Sequence, residues 1–306
     1  MPNRALKKIG FVTSAEHRHL IEDDLLLAAA LEKRGASVIP VVWTETAPSS
    51  TGCDLLLLRS CWDYHLRPQA FLDWVIEAHK QTPVINSPDI VRWNMDKHYL
   101  HDLEAAGIVI PRTLIVEQGL RADLQDDNLQ DANLQDANLE ELMSAEGLTD
   151  AVIKPTISAS AFETYRVRRE KAGSFNHKFN SLLSERAMVV QEFVGEIETA
   201  GEWSLIYLGG EFSHAVNKLP RPGDFRVQHE HGGQYRAAVP SKELQYAASA
   251  IVSRFAEQAI YCRADMVLRE QGPTLMELEL IEPLLHFELA PVAAERMAEI
   301  LMPLTR

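Results

Sequence analysis

Residues 261–280 read Tyr261-Cys-Arg-Ala-Asp265-Met-Val-Leu268-Arg-Glu-Gln271-Gly272-Pro273-Thr274-Leu-Met-Glu277-Leu-Glu279-Leu280. Two apolar-rich runs flank Gln271-Gly272-Pro273, so the stretch reads as one β-hairpin. Strand alternation puts Glu277 and Glu279 on the same face. The turn folds residues 261–268 back and brings Asp265 opposite 277–279, although the pattern does not fix the register to one residue. Three acids facing one point repel each other, and they need a cation, a proton or strong solvation. A divalent metal beside nucleotide phosphate meets that need. A solvated acidic face meets it too, and is the plainer reading of the hairpin taken alone.

Two lysines upstream would complete a phosphate site, because lysine holds phosphate as a point charge. Lys97 lies in Trp93-Asn-Met-Asp96-Lys97-His-Tyr-Leu100, at the start of a helix expected over 96–106 and stopped by Gly107. The amides and dipole of such a helix start favour an anion. Lys154 ends the apolar run Ala151-Val-Ile and precedes Pro155, so a strand carries it. The small polar stretch after it, with Ser158 and Ser160, suits a loop closing over phosphate with amides and hydroxyls. Judged singly, these are also an ordinary surface lysine and a serine-rich turn. Gln191-Glu192-Phe193-Val194 ends a strand whose main chain can meet adenine beside an aromatic ring. Glu202 can accept ribose hydroxyls, with Glu196 and Glu198 as rivals. Lys218 and Arg226 flank Leu219-Pro-Arg-Pro-Gly-Asp-Phe225, and arginine suits transferred phosphoryl charge. An exposed basic loop is the other reading.

Composition bounds the function. The 306 residues are 46% hydrophobic and 24% charged, enough for a sizeable core in two or three sub-domains. Thirty Lys and Arg against 44 Asp and Glu give a net charge of −14, which opposes a nucleic-acid role but not ATP binding. The N-terminus has no long apolar run behind it, so no signal peptide is expected, and no stretch approaches the length of a membrane span. Cys53, Cys61 and Cys262 form no C-x-x-C pair, which argues against a disulfide framework or zinc site and fits a reducing cytoplasm. Walker A, Gly-x-Gly-x-x-Gly and nucleophile-elbow patterns are all missing.

Strands are expected at 8–12, 37–43, 54–58 and 82–86, with helices at 23–34 and 71–79. That alternation predicts an α/β unit over the first 90 residues or so. Arg59-Ser60-Cys-Trp62-Asp63-Tyr64-His65 follows the third strand, at the end of an open sheet where ligands bind. It suits a zwitterionic substrate, with Arg59 and Ser60 leading and Asp63, Tyr64 and His65 behind them. A structural loop is the alternative. In residues 122–141 leucines recur at 124, 129, 134 and 139, a five-residue period that fits neither one helix face nor one strand face. About one coil of a pentapeptide-like solenoid cannot stand alone, so the segment reads as an insertion without catalytic work. Strands resume at 151–154, 164–168, 188–193, 203–208 and 211–217, and a helix is expected over 287–302.

In this order the elements resemble the ATP-grasp superfamily. The carrying residues are Asp96-Lys97, Val152-Ile-Lys154-Pro, Val189-Val-Gln191-Glu-Phe-Val194, Lys218, Phe225-Arg226-Val-Gln228, Asp265 and Glu277-Leu-Glu279. Within its glutathione-synthetase-like branch the chain is similar to the cyclo-ligases of D-cycloserine biosynthesis, through residues 59–65, Val91-Arg-Trp-Asn94, Gly201-Glu-Trp-Ser204 and Met276-Glu-Leu-Glu-Leu-Ile-Glu-Pro283. The resemblance implies an α/β fold with an α+β lid. Residues 1–92 would form a Rossmann-like domain, 93–111 with 197–306 the central domain, and 112–196 the lid carrying the 122–141 insertion. It implies ATP with one or two Mg²⁺ ions held by Asp265, Glu277 and Glu279. Lys97, Lys154, Ser158 and Ser160 would hold phosphates, residues 191–194 adenine, and Glu202 ribose. A substrate carboxylate would become an acyl phosphate for attack by an amine, with Arg226 and Lys218 as the catalytic cations. Ring closure of O-ureido-D-serine is the implied reaction. An intermolecular amino-acid ligase, a kinase and a non-ligating ATP-binding protein stay open. The partner would be a small amino-acid-like molecule, not nucleic acid or membrane, and self-association stays open. Two departures stand out: Ser158-Ala-Ser160 replaces a glycine-rich loop, and Glu279 stands where asparagine is common.

Overall fold

The computed structural model describes residues 7–119, 137–228 and 231–305. The chain divides into two units, Met1–Met95 with Glu196–Arg306, and Asp96–Gly195. Much of the 122–141 repeat lies outside the described residues.

The first unit opens with strands β1 (Lys7–Thr13), β2 (Ala36–Val42), β3 (Leu55–Leu58) and β4 (Val84–Ile85), joined by helices α1 (Glu22–Glu32) and α2 (Pro68–His79). They make a parallel sheet in the order β2-β1-β3-β4. All four leucines of β3 are buried, as a central parallel strand requires. Gly35 follows α1 with φ +82°, a conformation glycine adopts without Cβ strain. Helix α3 (Pro88–Asn94) then starts under a Ser87 cap whose hydroxyl accepts from the Ile90 amide.

The second unit begins with helix α4 (Tyr99–Ala105) and strand β5 (Thr113–Val116). It continues through α5 (Leu139–Ala145), β6 (Asp150–Pro155), β7 (Tyr165–Arg168), α6 (Arg169–Glu185) and β8 (Met188–Glu192). Its antiparallel sheet runs β5-β8-β6-β7. Leu139, Leu142 and Met143 of α5 share its core with Phe179 and Leu182 of α6. The last repeat leucine, Leu139, is therefore fully buried structure rather than insertion.

The chain returns to the first unit through α7 (Glu196–Thr199), β9 (Glu202–Leu208), β10 (Glu211–Leu219), β11 (Gln234–Ala237), α8 (Lys242–Phe255), β12 (Tyr261–Arg269), β13 (Gly272–Glu279) and α9 (Pro291–Leu301). The antiparallel sheet order is β11-β10-β9-β12-β13. One apolar core joins this sheet to the parallel one. Ile9, Phe11, Leu55 and Leu57 meet Ile206, Leu208 and Tyr261, with Met297 and Leu301 of α9 closing it.

Two sequence expectations change. The helix expected over 96–106 starts only at Tyr99, because the Lys97 amide bonds the Thr156 carbonyl at 2.9 Å and the His98 amide bonds the Asp96 carboxylate. Lys97 therefore lies ahead of a seven-residue helix, not in its first turn. The last helix starts at Pro291, after turns in which Leu289 and Ala290 donate to His286 and Phe287. Among the described residues, no helix is long and apolar enough to cross a membrane.

Candidate active site

The predicted acids gather on one face of the five-stranded sheet. Asp265 stands opposite Glu277 and Arg263 opposite Glu279. A bulge makes this register, because Met266 pairs with Leu275 and leaves Met276 as the extra residue. On the other side Asp265 pairs with Ser204, and Glu202 two residues earlier pairs with Lys218. Period-2 alternation thus presents Glu202, Ser204, Lys218, Arg263, Asp265, Glu277 and Glu279 together.

The charges interleave. Lys218 Nζ lies 2.5 Å from Glu202 Oε1 and 3.3 Å from Asp265 Oδ1. Arg263 Nη2 lies 2.9 Å from Asp265 Oδ2 and 2.5 Å from Glu279 Oε1. Ser204 Oγ donates to Asp265 Oδ1 at 2.5 Å. Burial opposes the Asp265 charge, but Arg263 and Lys218 outweigh it and hold the carboxyl well below its ordinary range. Glu279 goes the other way. Burial, with Asp265 and Glu277 adding repulsion against Arg263, pushes its carboxyl up to about 7. Burial also raises Glu202, opposed by Lys218. Burial works against the Lys218 ammonium, but Asp265 and Glu202 keep it charged.

Asp265, Glu277 and Glu279 share the face without converging on one point. Among the described residues no group of three His, Cys, Asp or Glu is arranged to hold a metal. Arg263 and Lys218 stand between the acids instead. The donor set still fits a hard cation. Four carboxylates meet two basic groups on this face, and oxygen donors of this kind suit such an ion.

In the second unit the Lys97 amide donates to Thr156 O, two residues past Lys154. Lys154 rides on β6, as its sequence context requires. Lys97, 8% exposed, reaches the carbonyl and the hydroxyl of Ser158, both at 3.2 Å. Ser160, Ala161 and Glu163 in that loop hold φ of +50° to +53° without being glycine. Such strain gathers at ligand-clasping loops. Gln191 is buried, and its side-chain amide donates to Thr113 Oγ1 at 2.9 Å. The Glu192 amide bonds Arg112 O, and the Phe193 amide bonds Asp150 O. The Arg166 guanidinium lies over the Phe193 ring, and Val194 is buried.

Residues 9–86 match the family model of the D-cycloserine synthetase DcsG N-terminal domain. The cycloserine biosynthesis protein DcsG of Streptomyces lavendulae is 26% identical over 268 residues, 85% of this chain and 86% of that protein. The crystal structure of D-cycloserine synthetase DcsG superposes with a TM-score of 0.82 at 24% identity, covering 98% of this chain and all of that one. The chain has the ATP-grasp fold. The ATP-grasp ligase PsnB, solved with a minimal precursor, Mg and ADP, shares that fold at a TM-score of 0.60 and 14% identity, covering 97% and 98% of the two chains.

Two residues of this ATP-grasp chain were not singled out from the sequence. Arg263 is the hub of the charged face, and its signal is the i, i+2 spacing to Asp265 on a strand. Asn94, which entered only as part of a resemblance, clasps the outer edge of β13. Its amide donates to Leu278 O at 2.7 Å and its Oδ1 accepts from Leu280 N at 2.8 Å, bracketing Glu279. Asn86 likewise donates to Tyr261 O and Leu280 O.

The segment after β3 has a different place from the one expected. Arg59 is 2% exposed, and its guanidinium meets Asp24 Oδ1 at 2.7 Å, Asp23 Oδ2 at 3.2 Å and Pro283 O at 3.3 Å. The Ser60 hydroxyl lies 2.9 Å from Asp24 Oδ2. Asp63 accepts from Trp43 Nε1, Tyr64 stacks on Phe71, and His65 Nδ1 lies 2.7 Å from Trp62 O. A substrate carboxylate reaching Arg59 would have to displace a buried aspartate. Arg226 pairs with Asp224 through Nε and Nη2 in the loop before β11.

Proposed function

We propose that this chain is an ATP- and Mg²⁺-dependent carboxylate–amine ligase. The observation that carries the reading is the sheet face of four carboxylates and two cations on an ATP-grasp fold. Asp265, Glu277 and Glu279 would hold one or two Mg²⁺ ions. The metal, when bound, neutralises phosphate charge and aligns it.

Lys97 and Lys154 would bind the phosphates, with Ser158 and Ser160 supplying loop amides and hydroxyls. Residues 191–194 would meet adenine through main-chain carbonyls and the Val194 amide, since the Gln191 side chain is held by Thr113 and the Glu192 and Phe193 amides by Arg112 and Asp150. Glu202 would take ribose. A substrate carboxylate oxygen attacks the γ-phosphorus and ADP leaves. An amine nitrogen, or the O-bound ureido nitrogen in the ring-closing case, then attacks the acyl carbon, phosphate leaves with the electron pair, and the nitrogen gives its proton to solvent. Lys218 and Arg226 are the proposed stabilisers of the acyl phosphate and the tetrahedral oxyanion. Arg59 and Ser60 enter as positioning residues that fix the loop bearing Asp63, Tyr64 and His65 near substrate.

The substrate we propose is O-ureido-D-serine or a close amino-acid analogue, with the nucleophile in the same molecule. The similarity to a protein named for cycloserine biosynthesis supports this choice. The test measures ADP release and product masses with ATP, Mg²⁺ and a panel of D- and L-amino acids, ureido-oxy and aminooxy derivatives. A cyclised product supports ring closure, one water lighter than the panel member if the ring nitrogen keeps its carbamoyl group and lighter again by HNCO if water releases that group as CO2 and NH3, and a coupled product supports intermolecular ligation. ADP release without a new covalent product points to a kinase or switch. No panel-dependent ADP release contradicts the ligase reading.

A further inference from the structure

His286 sits beside the charged face and has no part in the chemistry above. It is 1% exposed and holds φ +56°, which a non-glycine residue adopts only when its surroundings impose it. Those surroundings are visible. The amides of Leu285 and Phe287, on either side, both donate to the Asp23 carboxylate, at 3.1 and 2.5 Å. The preceding carbonyls accept from Arg263 at Leu284 and from Arg59 at Pro283. His214 Nε2 bonds Leu285 O at 2.8 Å. Four side chains, Asp23, Arg59, His214 and Arg263, thus fix one turn.

The ring meets Tyr235 edge to face at 5.2 Å. Tyr235 stands opposite Lys218 across β10 and β11, so it belongs to the same sheet face as the acids. Nδ1 lies 3.3 Å from Glu288 Oε1. A carboxylate there selects the tautomer with the proton on Nδ1 and leaves Nε2 as an acceptor. Burial, then Arg263 and Lys218, push the imidazole down to about 3, so it is neutral. Nε2 is buried and, among the described residues, has no hydrogen-bond partner. A buried acceptor without a donor costs stability, so such a group in a native fold calls for an explanation.

We propose that His286 Nε2 is a substrate-binding acceptor that takes a hydrogen bond from an N–H of the amino-acid-like substrate and orients it over the Lys218–Arg263 face. The inference rests on the ligase reading and names a specificity residue for it. A neutral acceptor distinguishes an N–H donor from the anionic groups that the neighbouring cations attract.

The test compares wild type with His286→Phe and His286→Gln. Phenylalanine keeps a ring and removes the acceptor, and glutamine can return an oxygen near the Nε2 position. Calorimetry measures binding of O-ureido-D-serine, and separately of a non-hydrolysable Mg–ATP analogue. The expected results are about tenfold weaker substrate-probe binding in the Phe variant, recovery in the Gln variant, and nucleotide affinity within twofold throughout. His286→Phe should also melt higher than wild type without ligand, since it removes an unsatisfied buried nitrogen. Unchanged probe binding in the Phe variant overturns the proposal. A lower melting temperature with unchanged binding marks a structural histidine served by an ordered water, and no probe binding to wild type also overturns it. Failure of the ligase reading shows elsewhere, as missing ADP release from the wild-type protein.

Discussion

At the scale of residues, burial decides which charges are structural. Arg59 has its guanidinium on two aspartates and a carbonyl inside the core. Burial raises the Asp23 and Asp24 carboxyls, and Arg59 opposes the rise. Arg59→Ala would leave two buried carboxylates without their cation. Breaking such a pair costs about 3–5 kcal/mol, and denaturant unfolding should show a loss of that size. A loss under about 1 kcal/mol would mean the aspartates find water or other donors. His98 offers a pH signature in the second unit. Its ring nitrogens lie 2.5 Å from Asp96 and 2.7 Å from Glu117. Burial lowers its pKa, but these two carboxylates outweigh it and raise the value above the ordinary 6.5. The folded state therefore binds this proton more tightly than the unfolded chain does. The stabilisation is full below pH 6.5 and fades as pH rises through the raised value. The melting-temperature gap between wild type and His98→Gln should be largest near pH 5.5 and close by pH 9. A gap that does not vary with pH would show that the imidazolium has no stabilising role.

At the scale of elements, the hairpin was legible because strand alternation is local, and both runs appear where the pattern places them. Its register was not legible, because the Met276 bulge depends on strands from elsewhere in the chain. The same limit hid the interleaving of Arg263 and Lys218 among the acids. Helices α6 and α8 went unread although α8 buries Leu244, Ala248, Ile251 and Val252 at helical spacing. Arg59 misled because the C-terminal end of a parallel strand is a ligand position, and its true partners sit 35 residues upstream. Asn94 makes a prediction at this scale. Asn94→Ala removes both clasps around Glu279 and should cost about 1–3 kcal/mol. It should also weaken Mg²⁺-dependent turnover while leaving Mg-free nucleotide binding intact. Turnover unchanged in Asn94→Ala would show that β13 holds Glu279 without help. Leu139→Ala opens a cavity in the second unit's core and should cost about 2–5 kcal/mol in calorimetric unfolding. A cost near zero would return Leu139 to the insertion.

At the scale of the whole molecule, the proposed function comes down to a single chemistry. That chemistry is the making of an acyl phosphate. Its most direct test is hydroxylamine trapping in the presence of ATP, Mg²⁺ and the panel substrate that gives the fastest ADP release, with mass spectrometry of the adduct. The account predicts a substrate hydroxamate, formed in step with ADP, and its loss in Glu277→Gln with the fold intact by circular dichroism. ADP release with no hydroxamate, or full hydroxamate formation by Glu277→Gln at saturating Mg²⁺, would contradict it.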